Sequence, residues 1–139
     1  MENIKDTLKK VKIFLSKRPE VVVCYLFGSF ATGGEVKGSD IDLGIFLNPD
    51  FKYDIFYLSD FQNSIESLAN AKMQIVIIND KSPLLKYKVI SPRKIIYCRD
   101  DNLRAEFEVR TMKNYLEMRP YIEESFKSVV EKASYAGHR

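Results

Sequence analysis

The sequence predicts a small α/β domain in which a mixed β-sheet is flanked by helices and a long helix follows at the carboxyl end. Short apolar runs of strand length alternate along the chain with segments in which apolar residues recur at helical spacing. A glycine-rich stretch follows the first apolar run, and no internal repeat or low-complexity tract interrupts the alternation. With 139 residues, 45% of them hydrophobic and 29% charged, the chain is expected to form one globular domain over 1–139, with a core at about 21–98 and a helical segment at about 101–136.

The first half of the chain is predicted to hold one helix and two strands. In the opening helix, which Arg18 and Pro19 end, the apolar residues are Ile4, Leu8, Val11 and Leu15. Val21–Phe27 is a continuous run of β-branched and aromatic residues, which is typical of a strand buried on both faces. Ile41–Leu47 is a second apolar strand, and Asn48 and Pro49 stop it.

The middle of the chain continues the alternation of helices and strands. Residues 53–70 are predicted to form a helix whose apolar face consists of Leu58, Phe61, Ile65 and Leu68. A third strand is expected at 73–78 and a fourth at 95–98. Between them, Ser82 and Pro83 are typical of an N-cap and a first helical residue, so a short helix should run to about Val89.

Residues 101–135 are predicted to form one long helix, which Pro120 should kink or break. Its apolar face is formed by Leu103, Phe107, Tyr115, Met118, Ile122, Phe126, Val129 and Ala133. Further apolar residues lie partly off that face: Val109, Met112, Leu116, Tyr121 and Val130. This excess indicates either a partner-binding surface or a core-packing helix with scattered exposed apolar residues.

Composition excludes several classes of function. The net charge of +3 demands neither a nucleic acid nor a membrane, and the scattered tyrosines do not form a stacking platform, so direct nucleic-acid binding is not expected. The longest apolar run is too short to span a bilayer, no signal peptide is expected, and two distant cysteines suit a reducing cytoplasm. Two cysteines and the single His138 leave no basis for a zinc site or a Ser-His-Asp triad.

Two features at the ends of the first two strands carry the functional prediction. Asp40 and Asp42 are two residues apart, so on a strand their carboxylates project to one side, where a cation such as Mg²⁺ would offset their repulsion. Gly28 ends the first strand where a helix can begin, and Ser29 adds a hydroxyl donor, which together suit a phosphate. A solvated carboxylate pair and an ordinary turn are the alternatives, but both features at one sheet end favour a ligand site.

The spacing of these residues resembles a known signature. Gly28 and Ser29, then residues 30–39, and then Asp40 and Asp42 are similar to the G-S-x10-D-x-D motif of the DNA-polymerase-β-type nucleotidyltransferases. The short length, and the stretch 78–87, resemble the minimal nucleotidyltransferase family, which includes antitoxin partners of HEPN-domain toxins. The resemblance implies a nucleotidyltransferase fold, Mg²⁺ at the two catalytic aspartates, and the β- and γ-phosphates of ATP at Gly28 and Ser29. It also implies transfer of AMP to a partner protein. The expected acceptor is a tyrosine of a HEPN-type toxin ribonuclease.

One position departs from the family pattern. The superfamily usually has a third carboxylate on a neighbouring strand, and alignment of the third strand puts Gln74 there. Glutamine cannot accept the proton of an attacking hydroxyl. Asp80 lies six residues further on, about 20 Å along an extended strand, and Glu66 would be near only if its helix folds over the site. The sequence therefore predicts a metal and nucleotide site without a general base.

Three functions are compatible with these residues. The first is a Mg²⁺-dependent antitoxin that adenylylates or binds a HEPN-type toxin. The second is a catalytically impaired homologue that neutralises its partner by binding alone, and the third is a small-molecule adenylyltransferase, which the lack of a second domain disfavours. Homo-oligomers and hetero-oligomers both fit. A basic cluster follows the third strand and faces the triphosphate, an RNA-bearing partner or solvent: Lys86, Lys88, Arg93 and Lys94.

Overall fold

The computed structural model describes residues 3–34 and 40–136, with side chains up to residue 131. The strands are β1 Val21–Phe27, β2 Ile41–Leu47, β3 Met73–Ile77 and β4 Lys94–Cys98. The helices are α1 Ile4–Ser16, α2 Ser29–Thr32, α3 Tyr57–Ala69, α4 Pro83–Ile90 and α5 Asp101–Ala136. Part of the predicted glycine-rich stretch, the side chain of Ala133 and His138 lie outside the described residues.

A four-stranded sheet in the order β3-β2-β1-β4 forms the centre of the fold. β1 pairs antiparallel with both β2 and β4, whereas β2 pairs parallel with β3. The predicted mixed sheet flanked by helices, with a long carboxyl-terminal helix, is therefore confirmed. Helices cover both faces of β1, which explains its continuous apolar run, because no position on it faces water.

The core consists of two apolar layers, one on each face of the sheet. On one face α1 and α3 pack against the strands through Leu15, Phe61 and Ile65, which are almost fully buried. On the other face α4 and α5 pack through Val89 and Phe107. The domain is therefore a three-layer arrangement in which the sheet separates the two helix pairs.

Helix α3 begins later than the sequence predicts, at Tyr57 instead of residue 53. Asp54 accepts a hydrogen bond from the N–H of Phe56 at 3.0 Å, and its carbonyl oxygen accepts one from Tyr57 at 3.2 Å, so a turn replaces the first helical turn. Two residues of the predicted apolar face, Leu58 and Leu68, are also largely exposed.

Helix α5 runs from Asp101 to Ala136 without the break expected at Pro120. Pro120 removes the hydrogen bond to the carbonyl oxygen of Leu116 and crowds that oxygen, but Leu116 is 55% exposed, so water can satisfy the carbonyl group. Beyond Tyr115 the predicted apolar face is uncovered within the described residues: Met118, Phe126 and Val129 are exposed, with Tyr121 and Val130 beside them. No described helix has both the length and the hydropathy to cross a bilayer.

Candidate functional site

Strand register brings the predicted site residues to one end of the sheet. Phe27 at the end of β1 lies opposite Asp42 at the start of β2, and Asp42 lies opposite Gln74 at the start of β3. On the other side of β1, Leu26 lies opposite Lys94 of β4. Gly28, Ser29, Asp40 and Asp42 thus occupy neighbouring positions at this end, as the sequence indicated.

Gly28 is required by the backbone and by its neighbour. Its φ of 71° and ψ of −154° fall in a region that almost only glycine adopts. A Cβ atom added to Gly28 would overlap the Oδ2 atom of Asp42. The missing side chain of Gly28 is therefore the space in which the carboxylate of Asp42 lies, which spacing alone could not reveal.

Ser29 is the first residue of the short helix α2. The carbonyl oxygen of Gly28 accepts hydrogen bonds from the N–H groups of Ala31 at 3.2 Å and Thr32 at 3.3 Å. Among the described residues, the N–H groups of Ser29 and Phe30 have no acceptor. Two free N–H donors and a serine hydroxyl consequently lie beside the strand that carries Asp42, and such donors suit a phosphate.

The two carboxylates repel each other. Asp42 is half-buried and Asp40 is exposed. Burial raises the pKa of Asp42 above its usual value, and the charge of Asp40 raises it further. Such a pair is stabilised when a cation lies between the carboxylates, and oxygen ligands of this kind suit Mg²⁺.

Gln74 lies on β3 at the end of the sheet that carries Asp42. It lies directly opposite Asp42 and is exposed, whereas Met73 and Ile75 on either side of it are buried against α3. Because side chains alternate along a strand, Gln74 projects from the same sheet face as Asp42. Among residues 3–34 and 40–136, no three Asp, Glu, His or Cys side chains come together as a metal site.

Glu66 does not add a third carboxylate beside Asp40 and Asp42. Its Oε2 atom accepts a hydrogen bond from the N–H of Met73 at 3.0 Å, and Gln62 donates to the carbonyl oxygen of Met73 at 3.0 Å. Both side chains therefore cap the outer edge of β3 from the α3 side, away from the face that carries Asp42.

The carboxylate of Glu108 also lies on the sheet face that carries Asp42, but it already accepts hydrogen bonds from other side chains. It accepts hydrogen bonds from the hydroxyl of Tyr25 at 3.1 Å and from Arg104 at 2.8 Å. Burial and the neighbouring Glu108 raise the pKa of Tyr25, so its hydroxyl stays protonated as a donor. Glu108 forms one wall of a cleft of about 390 Å³ between β1, α4 and α5, where its charge is offset by Arg104.

Gly44 affects the shape of the sheet face that carries Asp42, and it was not among the residues predicted from the sequence. It lies two positions after Asp42 on the same sheet face, and an added Cβ atom would overlap the Cγ1 atom of Val89. Helix α4 can therefore approach closely the sheet face that carries Asp42. The contact joins residues 45 positions apart in the chain, so no local sequence pattern predicts it.

The predicted basic cluster does not form a single patch. Lys94 lies opposite Leu26, near the end of the sheet that carries Asp42. Lys86 instead contributes to a cleft with Asn48 and Asn79, which follow β2 and β3 at the opposite end. The cause is the direction of α4, which is about 12 Å long at 1.5 Å per residue and leads from the end of the sheet near Asn79 back towards the start of β4, where Lys94 lies.

Solved structures with the same fold include chains from toxin–antitoxin complexes. One, from a toxin–antitoxin structure with AMP-PNP, is 19% identical with a TM-score of 0.73, covering 88% of this chain and 98% of that chain. Another, from a structure of tri-AMPylated Shewanella oneidensis HEPN toxin in complex with MNT antitoxin, is 15% identical with a TM-score of 0.62, covering 94% and 98%. A third, from the toxin–antitoxin MntA-HepT, is 16% identical with a TM-score of 0.62, covering 95% and 99%.

Sequence comparison identifies the family. No curated protein matches the chain. The family model described as polymerase beta, nucleotidyltransferase matches residues 9–102, which is more than half of the chain and includes the sheet and the Gly28, Ser29, Asp40 and Asp42 positions. The chain therefore belongs to the polymerase beta nucleotidyltransferase family.

Proposed function

We propose that this chain binds Mg²⁺ and ATP through Gly28, Ser29, Asp40 and Asp42 and acts as the antitoxin partner of a HEPN-type toxin. The observation that carries the proposal is the contact between Gly28 and Asp42, which sets free backbone N–H groups beside a carboxylate pair. Membership of the nucleotidyltransferase family supports the same ligand.

The residues present fit a magnesium ion. Asp40 and Asp42 offer oxygen ligands on one side of β2. Burial and the charge of Asp40 raise the pKa of Asp42, and a cation between the two carboxylates would offset both effects. When bound, Mg²⁺ supplies positive charge that offsets the triphosphate. The free N–H groups of Ser29 and Phe30 then bind and orient the terminal phosphates.

AMP transfer requires a hydroxyl to attack the α-phosphorus of ATP, so that a new P–O bond forms and the bond to pyrophosphate breaks. The hydroxyl proton must also leave, and Gln74, opposite Asp42, cannot take it. A positioned general base is typically worth about 10²–10⁴ in rate. We therefore propose that the chain binds Mg-ATP well and transfers AMP slowly.

The partner is inferred from chains of the same fold. Two of the similar chains come from complexes described as a toxin–antitoxin with AMP-PNP and as a tri-AMPylated HEPN toxin with MNT antitoxin. The uncovered apolar residues of α5, including Tyr121, Phe126 and Val129, suit contact with such a partner. Since Gln74 weakens catalysis, neutralisation by binding alone is the second candidate function.

Transfer of radiolabel from α-labelled ATP to a HEPN-type toxin tests the proposal. Wild type should label that protein slowly in the presence of Mg²⁺, and Gln74→Asp should label it about a hundredfold faster or more. Gln74→Asn is the matched control because it shortens the side chain without adding charge, and it should label no faster than wild type.

The two candidate functions separate in a toxicity assay. If the double variant Asp40→Asn, Asp42→Asn still neutralises the toxin, binding alone accounts for the antitoxin role. Loss of neutralisation in that variant, with complex formation retained, assigns the role to AMP transfer. Equal labelling rates for wild type and Gln74→Asp would contradict the argument from the missing base.

A further inference from the structure

A second cleft, with a volume of about 590 Å³, opens at the end of the sheet opposite to Asp42. It lies where β2 and β3 end, with Asn48 and Asn79 among its lining residues. Six residues separate Asp42 from Asn48 along an extended strand, a distance of about 20 Å. The cleft is therefore separate from the carboxylate pair, and its volume is typical of sites for small molecules.

Three cationic side chains from three parts of the chain line this cleft. Lys52 follows β2, Lys86 belongs to α4 and Arg110 belongs to α5. Within the described part of the chain, none of the three forms an ion pair or a hydrogen bond with a carboxylate. Asp80 is the single carboxylate among the lining residues, so the local charge is positive and suits an anion.

One wall of the cleft is a flat aromatic surface. The rings of Phe51 and Tyr53 stack with centroids 6.2 Å apart and planes inclined by 17°. Asn48 holds this wall in place, because its carbonyl oxygen accepts a hydrogen bond from the N–H of Phe51 and its Oδ1 atom accepts one from Asp50, both at 2.9 Å. Tyr53 also contacts Tyr57 at 5.3 Å but is 43% exposed, so part of its ring is open to contact with a further planar group.

The floor of the cleft is apolar and bordered by polar groups. Phe46 and Phe107 stack at 4.2 Å and are buried, and the Nζ atom of Lys86 lies 5.9 Å from the centre of the Phe107 ring. Thr111 and Asn114 of α5 lie beside this floor and add hydrogen-bonding groups. Cations, an aromatic wall and amide or hydroxyl groups together are the chemistry that recognises a phosphorylated base.

We infer that this cleft binds a nucleoside monophosphate unit, with its phosphate near Lys86 and Arg110 and its base against Tyr53. A single carboxylate cannot reproduce the paired ligands of the Asp40 and Asp42 site, so this is a binding site and not a second catalytic centre. The unit is either a free nucleotide or the 5′-phosphorylated end of an RNA strand, because both present the same phosphate and base.

Fluorescence anisotropy with a fluorescently labelled AMP, in EDTA so that no divalent cation is present, tests the inference. Binding should persist in the double variant Asp40→Asn, Asp42→Asn, which isolates the second cleft from the first site. Lys86→Glu and Arg110→Glu should each weaken binding about tenfold or more, because each removes a charge-assisted hydrogen bond and adds repulsion. Lys88→Glu is the matched control, since Lys88 is exposed on the same helix outside the cleft.

Three further comparisons decide the ligand. Tyr53→Ala should weaken AMP binding while leaving competition by inorganic phosphate unchanged. The site is assigned to an RNA end if a 5′-phosphorylated oligoribonucleotide binds and free AMP does not. Binding of the oligoribonucleotide must then show the same sensitivity to Lys86→Glu and Arg110→Glu. The inference is overturned if neither ligand binds, if Lys88→Glu weakens binding equally, or if inorganic phosphate binds as tightly as AMP. Circular dichroism melts confirm that each variant is folded.

Discussion

Replacing Gly28 with alanine is expected to disrupt both the backbone and the position of Asp42. The φ and ψ angles of Gly28, 71° and −154°, lie in a region that costs other residues about 1–3 kcal/mol. The new Cβ atom would also overlap the Oδ2 atom of Asp42, so the carboxylate has to move. The variant should therefore lose stability and, separately, lose its ability to hold Mg²⁺ and a triphosphate.

The size of each effect follows from the structure. A loss of about 1–3 kcal/mol lowers the melting temperature of a domain of this length by about 3–4 °C per kcal/mol. Wild type should gain about 2.7 kcal/mol of stability from Mg-AMP-PNP at a concentration one hundred times Kd. Gly28→Ala should gain almost none, because Asp42 is displaced.

Two neighbouring glycines provide matched controls. Gly33 has a φ of 78°, but an added Cβ atom would have nothing within 4 Å, so Gly33→Ala carries backbone strain without a clash. In Gly34→Ala the nearest atom would be the Oγ1 atom of Thr32 at 3.8 Å, an ordinary contact. Gly33→Ala should lose about 1 kcal/mol and Gly34→Ala about 0.5 kcal/mol or less, and both should keep the stabilisation by nucleotide.

Differential scanning fluorimetry with and without Mg-AMP-PNP measures both effects in one experiment. The reasoning is refuted if Gly28→Ala keeps the full increase in melting temperature on nucleotide addition. It is also refuted if Gly33→Ala loses that increase as completely as Gly28→Ala does, because backbone strain alone would then explain the result.

Three further predictions concern stability. The folded-state pKa of Asp42 is raised, so the stability that it contributes is present below the unfolded-state pKa and is lost as pH rises through the folded-state pKa. Asp42→Asn should therefore raise the free energy of unfolding at pH 7 in EDTA by at most about 1 kcal/mol, seen as a higher melting temperature, and flatten the dependence of stability on pH in the acid range. Gly44→Ala should cost about 1–3 kcal/mol in urea unfolding through its clash with Val89, and Val89→Ala should restore part of that loss in the double variant. Asn79 both accepts from the N–H of Leu47 at 2.9 Å and donates to its carbonyl oxygen at 2.8 Å, so Asn79→Ala should cost about 1–3 kcal/mol, and an unchanged urea midpoint would contradict this role.

The central strands could be predicted from the sequence because their signals are local and strong. β1 and β2 have the predicted bounds, since β1 is an unbroken apolar run, β2 is apolar except at Asp42 and Gly44, and turn residues such as Gly28 and Asn48 follow them. The start of α3 could not be predicted in this way. Tyr53 fits helical spacing, but its ring packs on Phe51 and Tyr57 from a turn that precedes the helix.

The sequence could predict which site residues share a sheet face, because side chains alternate between the two faces along a strand. Asp42 and Gln74 share a sheet face because β2 and β3 are parallel and in register, which the hydrophobic patterns of both strands require. The contacts of Gly28 with Asp42 and of Gly44 with Val89 depend on how separate elements pack, which periodicity does not encode. The separation of Lys86 from Lys94 also depends on packing, because the direction of α4 determines it.

Isothermal titration calorimetry of Mg-AMP-PNP tests the central claim most directly, because it measures binding apart from transfer. Wild type should show one magnesium-dependent nucleotide site, which EDTA removes. The double variant Asp40→Asn, Asp42→Asn should lose the magnesium-dependent part of the affinity, while Gln74→Asn should keep it. An unchanged affinity in the double aspartate variant would contradict the assignment of the metal and nucleotide site.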